Sequence, residues 1–407
     1  MKATLGKLLV VKYGGSVLDS GPAIRRAAEA VKQELDKGTR IVVVASAMKG
    51  VTDQLLSAAE TISTDTPPEV VDRIIGLGEE QSVRLVASAL RSLGADAVEV
   101  TPDSPGWPIV TDEKFGDAEP MLEECESSAE LGLRPLIERG KVPVVCGFVG
   151  RSLEGYVTTL GRGGSDTTAV ILAACLGADE LVLVKDVDGV YTADPKKVEG
   201  ARPIATLSAW EADLLASTGA KVLHDKVLRY KPEELKIRIV STSQSLNGSG
   251  TVISGTIPEL EVEVYEKPVL KVIILGGVVS DPEALACVSK AIEEGGGRLL
   301  ALEGDGRSTT LFVDGSLSEV LNGIHSLVDA AGYVRAVSGI GDFALIGVRG
   351  RRLDDPLGAT RRILDVLSAN GIDVRDIITN QSSVSLLLDW DRRDEFTRLI
   401  KKAFEET

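Results

Sequence analysis

The feature that most constrains this chain is a set of short runs with three to five consecutive apolar residues at their centres. Residues 7–12 (KLLVVK), 41–47 (IVVVASA), 142–150 (VPVVCGFVG) and 180–190 (ELVLVKDVDGV) show little in–out alternation. A strand can be apolar on both faces when helices cover its sheet on both sides, as in parallel sheets. The intervening segments supply such helices. Residues 22–37 have helical periodicity and stop at Gly38, and a long helical stretch runs through 69–93. SDTTAVILAACLGA (165–178) reads as a helix with Ser165 or Asp166 near its start and Gly177 near its end. Strands alternating with helices predict an α/β fold with a largely parallel sheet. Aromatic residues make up only 4% of the chain, so small aliphatic side chains must fill the core.

The rhythm changes near 243–268, a turn-rich stretch that marks the end of a first domain over 1–265. Beyond it come a strand (VLKVIILGG), a helix at 281–294, two strands (GRLLALEG, STTLFVD) and a helix at 316–331. YVRAVSG leads into a second unit: GDFALIGVRG, a helix at 356–370, IDVRDIITNQ, SVSLLLD and a helix at 392–405. The two patterns read as a tandem pair of split βαβ modules, 266–340 and 341–407. One continuous α+β domain is the alternative. The last segment is a helix with no visible final strand, so closure of the second sheet within one chain stays open.

Several function classes are disfavoured. With 45 basic against 61 acidic residues the net charge is −16, which repels a phosphate backbone and argues against nucleic-acid binding. No stretch approaches ~20 uncharged apolar residues, so no membrane partner is expected. The first apolar run breaks at Lys12, unlike a signal peptide. Cys125, Cys146, Cys175 and Cys287 form no C-x-x-C pair and read as reduced thiols of a cytoplasmic protein. His224 and His325 are too few for a histidine-rich metal site, and no protein metal site is expected.

There is no G-x-x-x-x-G-K-[ST] and no strand-linked G-x-G-x-x-G with a following acidic residue, so a phosphate cradle must be built otherwise. Lys12-Tyr13-Gly14-Gly15-Ser16 directly follows the first strand, where glycines allow close backbone approach to an anion and Lys12 adds charge. A plain strand-to-helix turn accounts for it equally well. Gly161-Arg162-Gly163-Gly164-Ser165-Asp166 opens a helix, and its arginine can grip a carboxylate. Such a glycine-rich loop is costly to order without a purpose, although Asp166 alone fits a helix-start charge. Lys185 through Pro195 follows a buried strand, where open α/β sheets bind ligands, but a simple loop is also admissible.

Taken together and in order, these segments closely resemble aspartate kinases of the amino-acid kinase superfamily. The resemblance covers about the first 240 residues. It includes the K-Y-G-G-S opening, Val44-Ala45-Ser46-Ala47-Met48 with Gly50-Val51-Thr52-Asp53, and Gly78-Glu79 with Ser82. It continues through Gly147–Gly150 and Thr158–Asp166, then Asp186–Pro195, then Gly219-Ala220-Lys221-Val222-Leu223-His224. It implies a carbamate-kinase-like αβα sandwich followed by two ferredoxin-like βαββαβ modules of the ACT type. It further implies ATP with Mg²⁺, L-aspartate as acceptor, β-aspartyl phosphate as product, and a place at the start of lysine, threonine and methionine biosynthesis.

By the same resemblance, Lys12 with Gly14 and Gly15 would hold the transferring phosphate, with Ser16 beside them, and Asp166 would position Lys12. Arg162 would bind the substrate α-carboxylate and Glu79 its amino group, with Ser46 and Thr52 lining the pocket. Lys185, Asp186, Tyr191, Asp194 and Pro195, together with Lys221, would hold ATP. Mg²⁺ would be held mainly through the ATP phosphates. An amino-acid effector at the tail modules and a homodimer or higher homo-oligomer are also implied. Three departures stand out. Lys185 replaces a threonine common in relatives, Asp225 follows His224 in place of proline, and the tail lacks the acidic residue of an S-E-x-x-[IL]-S strand entry. Another amino-acid kinase, or a catalytically silent amino-acid sensor, is the competing reading.

Overall fold

The computed structural model describes residues 6–63, 65–217, 223, 225–331, 334–353, 356–380 and 383–405. They fall into two compact units, Met1–Ile257 and Pro258–Thr407.

The first unit begins with β1 (Leu8–Tyr13), α1 (Gly21–Leu35), β2 (Arg40–Ala45), α2 (Val51–Ile62), α3 (Pro68–Ser92) and β3 (Ala97–Val100). It continues with β4 (Val110–Thr111), α4 (Leu122–Gly132), α5 (Arg134–Glu138), β5 (Val142–Cys146), β6 (Val149–Ser152), β7 (Val157–Thr159), α6 (Gly164–Cys175) and β8 (Glu180–Lys185). β9 (Thr206–Ser208), α7 (Ala209–Ser217), α8 (Asp225–Arg229), β10 (Lys236–Ser241) and β11 (Thr251–Ser254) complete it. Eight strands form one sheet in the order β3-β5-β2-β1-β8-β10-β11-β9. All its pairings are parallel except β10 with β11. Every residue of β1 is buried, as the doubly covered apolar runs require. Helix starts are locally encoded: the Ser20 hydroxyl accepts from Ala23 N–H at 3.4 Å, just before Pro22, to open α1.

Two expected strands are shorter than the apolar runs. The 142–150 run breaks after Cys146, and β6 joins a separate three-stranded sheet with β4 and β7. Phe148, with φ +65°, turns the chain there. The reason is close packing: a Cβ on Gly147 would lie 2.7 Å from Ser165 Cβ, so the helix start presses on the strand end. The 180–190 run stops at Lys185. Gly189, with φ +145°, leaves the strand conformation, and Val190 N–H donates to Thr251 Oγ1 at 2.8 Å.

The second unit contains β12 (Glu261–Val264), β13 (Val269–Leu275), α9 (Pro282–Glu294), β14 (Arg298–Gly304), β15 (Ser308–Asp314), α10 (Leu317–Ala331) and β16 (Ala336–Arg349). α11 (Pro356–Ala369), β17 (Val374–Asn380), β18 (Ser383–Asp389) and α12 (Arg393–Glu405) follow. Its antiparallel sheet runs β14-β15-β13-β16-β18-β17, with β12 also on β16. Two cores reflect the two modules. One holds Val272, Ile274, Val288, Ile292, Val320 and Ile324. The other holds Ile346, Val348, Ile363, Leu367, Phe396 and Ile400.

YVRAVSG and GDFALIGVRG are one strand, β16, which crosses position 340/341. A register shift opposite Val269/Lys271, with Asp342 at φ +66°, lets that strand serve both halves. The strand missing at the end of the second module is β12, whose Val262 pairs with Val348 and Val264 with Ile346. That pairing draws residues 258–265 into the second unit, and the two compact units divide at Ile257/Pro258.

Candidate active site

The loops after β1 and β2 are zipped together. Ser46 N–H donates to Tyr13 O at 3.1 Å, Lys49 N–H to Gly15 O at 3.1 Å, and Gly14 N–H to Val184 O at 3.4 Å. A Cβ on Gly15 would lie 2.5 Å from Ala47 O, so this position has room only for glycine. The Tyr13 hydroxyl donates to Ala27 O at 3.1 Å, and burial pushes its pKa up, which makes it a core anchor. The packing leaves Lys12, 8% exposed, at the C-terminal edge of the sheet.

Two helices start at this edge. α6 begins after Gly163 and α2 after Gly50, both glycines in the left-handed region, and neither helix has a side-chain cap. Their first turns therefore direct N–H groups and positive dipole ends toward the same space. Asp166, in the first turn of α6, meets both lysines of the sheet edge. Lys12 Nζ lies 2.5 Å from its Oδ1 and Lys185 Nζ 3.2 Å from its Oδ2. Burial would push the Asp166 carboxyl up, but the two ammonium groups overcome that and hold it well below the usual carboxylate range.

Lys12, Ser46, Thr52, Glu79, Arg162 and Asp166 line one cleft of about 290 Å³. Glu79, from the middle of α3, is 3% exposed. Its Oε1 accepts from Ala47 N–H at 3.2 Å, and its Oε2 is buried without a hydrogen-bond partner among the described residues. Burial raises its pKa to about 7, against the pull of the Ala47 N–H and of Lys12. Arg162 is exposed at the rim and has no ion pair among the described residues. The cleft thus offers a carboxylate with one oxygen to spare, a guanidinium, an ammonium and two helix starts. That set matches a small zwitterion with an extra anionic group.

Asp72, also on α3, was not legible in the sequence. It is 2% exposed. Its Oδ1 accepts the Thr159 hydroxyl at 2.9 Å, and its Oδ2 accepts Thr159 N–H at 2.8 Å and Gly116 N–H at 2.9 Å. It pins the strand that delivers the 160–166 loop. On the other side of that loop, a Cβ on Gly161 would lie 2.5 Å from Asp117 Oδ1, and Asp117 is ion-paired with Lys226. An Asp inside a helix reads as a solvated position, and no motif marks it.

The predicted nucleotide residues are less concentrated. Ser16 is exposed beside Gly15. Asp186, Tyr191, Asp194 and Pro195 lie in the loop after β8, and none of them lines the cleft. Tyr191 bridges to Pro203, and Asp194 Oδ1 accepts from Lys196 N–H at 3.0 Å. Lys221 and His224 lie outside the described residues. Among those described, no group of three or more His, Cys, Asp or Glu is arranged to hold a metal ion. No helix among them is long and apolar enough to cross a membrane.

Known proteins share this architecture. The sequence model described as Amino acid kinase family matches residues 7–241. An aspartokinase of Corynebacterium efficiens is 32% identical over 98% of this chain and 96% of its own. A crystal structure of aspartate kinase from Synechocystis superposes with a TM-score of 0.76 at 25% identity, covering 98% of this chain and 70% of that one. The E. coli aspartokinase III complex with aspartate and ADP has a TM-score of 0.57 at 23% identity, over 98% of this chain and 99% of that one, and shares the fold. The fold and the paired-lysine site define an ATP-dependent phosphotransferase for a small acceptor. The chain belongs to the amino acid kinase family and, within it, to the aspartokinases.

Proposed function

We propose that this enzyme transfers the γ-phosphoryl group of ATP to the β-carboxylate of L-aspartate, giving ADP and β-aspartyl phosphate. One observation carries the reading: the Lys12–Asp166 pair shares a cleft with a buried, half-satisfied Glu79 and an unpaired Arg162. An acyl phosphate of this kind supports the first step of lysine, threonine and methionine biosynthesis.

The acceptor carboxylate has an ordinary pKa near ~4, so it is ionised at neutral pH and needs no general base. The task is to bring two anions together. Lys12, the backbone around Gly14 and Gly15, and the start of α6 offset that repulsion, and their contribution grows as charge shifts in the transition state. Asp166 keeps Lys12 charged and aimed. Glu79 Oε2 takes the substrate ammonium, Arg162 takes the α-carboxylate in bidentate fashion, and Ser46 and Thr52 line the remaining wall. The nucleotide lies along Lys185, Asp186, Tyr191, Asp194 and Pro195, with Ser16 and Lys221 completing its site. Mg²⁺ suits this site as a companion of ATP: the described residues offer phosphate-binding cations, and bound with ATP it supplies charge neutralisation on the phosphates.

The tail modules carry an amino-acid effector site, and the chain works as a homodimer or higher homo-oligomer in the cytoplasm. Four free cysteines fit a reducing compartment. A coupled ADP-release assay over a panel of acceptors tests the substrate. Turnover with L-aspartate is expected. Turnover with glutamate, carbamate or a nucleoside monophosphate in its place assigns a different member of the family, and no turnover with any acceptor assigns a sensor.

A further inference from the structure

Arg162 stands between two glycines in the left-handed region, Gly161 at φ +70° and Gly163 at φ +76°. Glycine loses more backbone freedom on ordering than any other residue, so this stretch needs walls to hold one conformation. One wall is the start of α6, where Gly164 N–H donates to Gly161 O at 3.0 Å. The other is Asp117. A Cβ on Gly161 would lie 2.5 Å from Asp117 Oδ1 and 3.3 Å from Gly116 O. The Asp117 carboxylate therefore sits directly against the residue that precedes Arg162.

Asp117 belongs to the loop after β4. Asp112 N–H donates to Glu119 O at 3.0 Å and Glu119 N–H to Asp112 Oδ1 at 2.9 Å, which closes the loop at its base. Ala118 N–H donates to Thr159 O at 2.8 Å and ties the loop to β7. These bonds fix the backbone, and two lysines fix the carboxylate. Lys114, from the same loop, donates to Oδ2 at 3.0 Å, and Lys226, from α8, donates to Oδ1. Oδ1 is the oxygen that walls Gly161. The Lys226 side chain is 15% exposed and that of Lys114 63%, so water and salt screen the Lys226 pair less. The Lys226 hydrogen bond, ahead of that of Lys114, holds the Asp117 carboxyl below its usual range. Lys226 Nζ also lies 3.7 Å from Glu119 Oε1, and the Tyr230 hydroxyl donates to Glu119 Oε2 at 2.7 Å. The 225–230 segment thus grips both acidic residues of the loop end.

We propose that Lys226 is a positioning residue for the acceptor: through Asp117 it braces Gly161 and so fixes the backbone that carries Arg162. Lys226 touches neither substrate. It acts on how ready Arg162 is to meet a carboxylate, which a loosened loop would have to pay for at each binding event. The proposal rests on the aspartate kinase reading, in which Arg162 takes the α-carboxylate of the acceptor. The bracing of the loop itself does not depend on which acceptor is used.

The test uses the full chain with Lys226→Met, Lys226→Arg and Asp117→Asn, each checked for a wild-type thermal melt. Steady-state ADP release gives kcat and both KM values, and hydrogen exchange read by mass spectrometry follows the 158–166 peptide without substrate. K226M should raise the aspartate KM about 10-fold, with kcat and the ATP KM within about 2-fold of wild type. Exchange in 158–166 should quicken about 10-fold while β1 and β2 keep wild-type rates. K226R should recover most of both changes. D117N should resemble K226M, and combining the two should add nothing, as for residues acting in series. In an Arg162→Ala background K226M should no longer lower kcat/KM for aspartate. Wild-type aspartate KM and wild-type exchange in K226M overturn the proposal. So does an undiminished loss in the Arg162→Ala background, or a loss spread over both KM values with faster exchange throughout the first unit, which assigns Lys226 to the packing of α8 alone. If wild type does not turn over aspartate, the acceptor reading fails alone, and exchange of 158–166 in K226M decides Lys226. If K226M does not fold, D117N decides by the same readouts.

Discussion

Asp72 holds Thr159 twice, accepting its hydroxyl at 2.9 Å on one oxygen and its backbone N–H at 2.8 Å on the other. One long helix thereby fixes the strand that leads into the Arg162 loop, while Glu79, on the same helix, faces the cleft. Asp72→Ala leaves the two Thr159 donors and Gly116 N–H without their acceptor. The expected cost is about 3 kcal/mol in urea denaturation, with a raised KM for aspartate as the loop loosens. A wild-type midpoint would remove this anchoring role.

Glu79 makes aspartate binding pH-dependent. Burial lifts its pKa from 4.5 to about 7, so the carboxylate needed for the substrate ammonium is lost as pH falls through 7. Aspartate affinity should therefore drop below pH 7, and Glu79→Gln should bind weakly at every pH. The stability sign is opposite. Folding favours the protonated form, so the penalty of burying the charge builds between pH 4.5 and 7 and is complete above it. Glu79→Gln should be more stable than wild type at pH 8 by about 3 kcal/mol and gain nothing at pH 4. Equal stability at pH 8 contradicts this account.

Gly14 and Gly15 should respond differently to alanine. The nearest atom to a Cβ on Gly14 is Lys12 Nζ at 3.7 Å, an ordinary contact, whereas on Gly15 it is Ala47 O at 2.5 Å. Gly15→Ala must push the Lys12 loop off the Ala47 loop and should cost about 100-fold in kcat. Gly14→Ala should stay within about 10-fold unless the phosphate itself needs that space. Equal activities in a side-by-side assay would contradict the packing argument.

Lys231 is fully buried and donates to Pro232 O at 3.0 Å and to Gly255 O, with no carboxylate ion-paired to it among the described residues. Burial lowers its pKa from 10.5 to about 8. The unfolded chain binds the proton more tightly, so this group adds stability as pH rises from 8 to 10.5. The difference in melting temperature between wild type and Lys231→Met should shift in favour of wild type across that window. A pH-independent difference would show that the buried lysine does not titrate there.

Much of this was legible because the doubly buried strands admit few alternatives. The runs at 7–12 and 41–47 became β1 and β2, and Lys12, Ser46, Thr52, Glu79, Arg162 and Asp166 came together in one cleft. What escaped depends on partners far away in sequence. β12 has only four residues and gains its identity from β16. Asp72 matters only because Thr159 and Gly116 come to it. The break at Phe148 comes from the helix start pressing on Gly147, which no local pattern encodes. The shared hold of Lys12 and Lys185 on Asp166 required the β1–β8 register, which apolar runs do not specify.

The central claim is an acyl phosphate made on aspartate, and hydroxylamine traps such a species as a stable hydroxamate. With ATP, L-aspartate and hydroxylamine, the wild-type enzyme should form aspartyl β-hydroxamate in step with ADP, and Lys12→Ala should form almost none. Hydroxamate absent from the wild-type reaction while ADP accumulates, or formed equally by Lys12→Ala, would contradict the account.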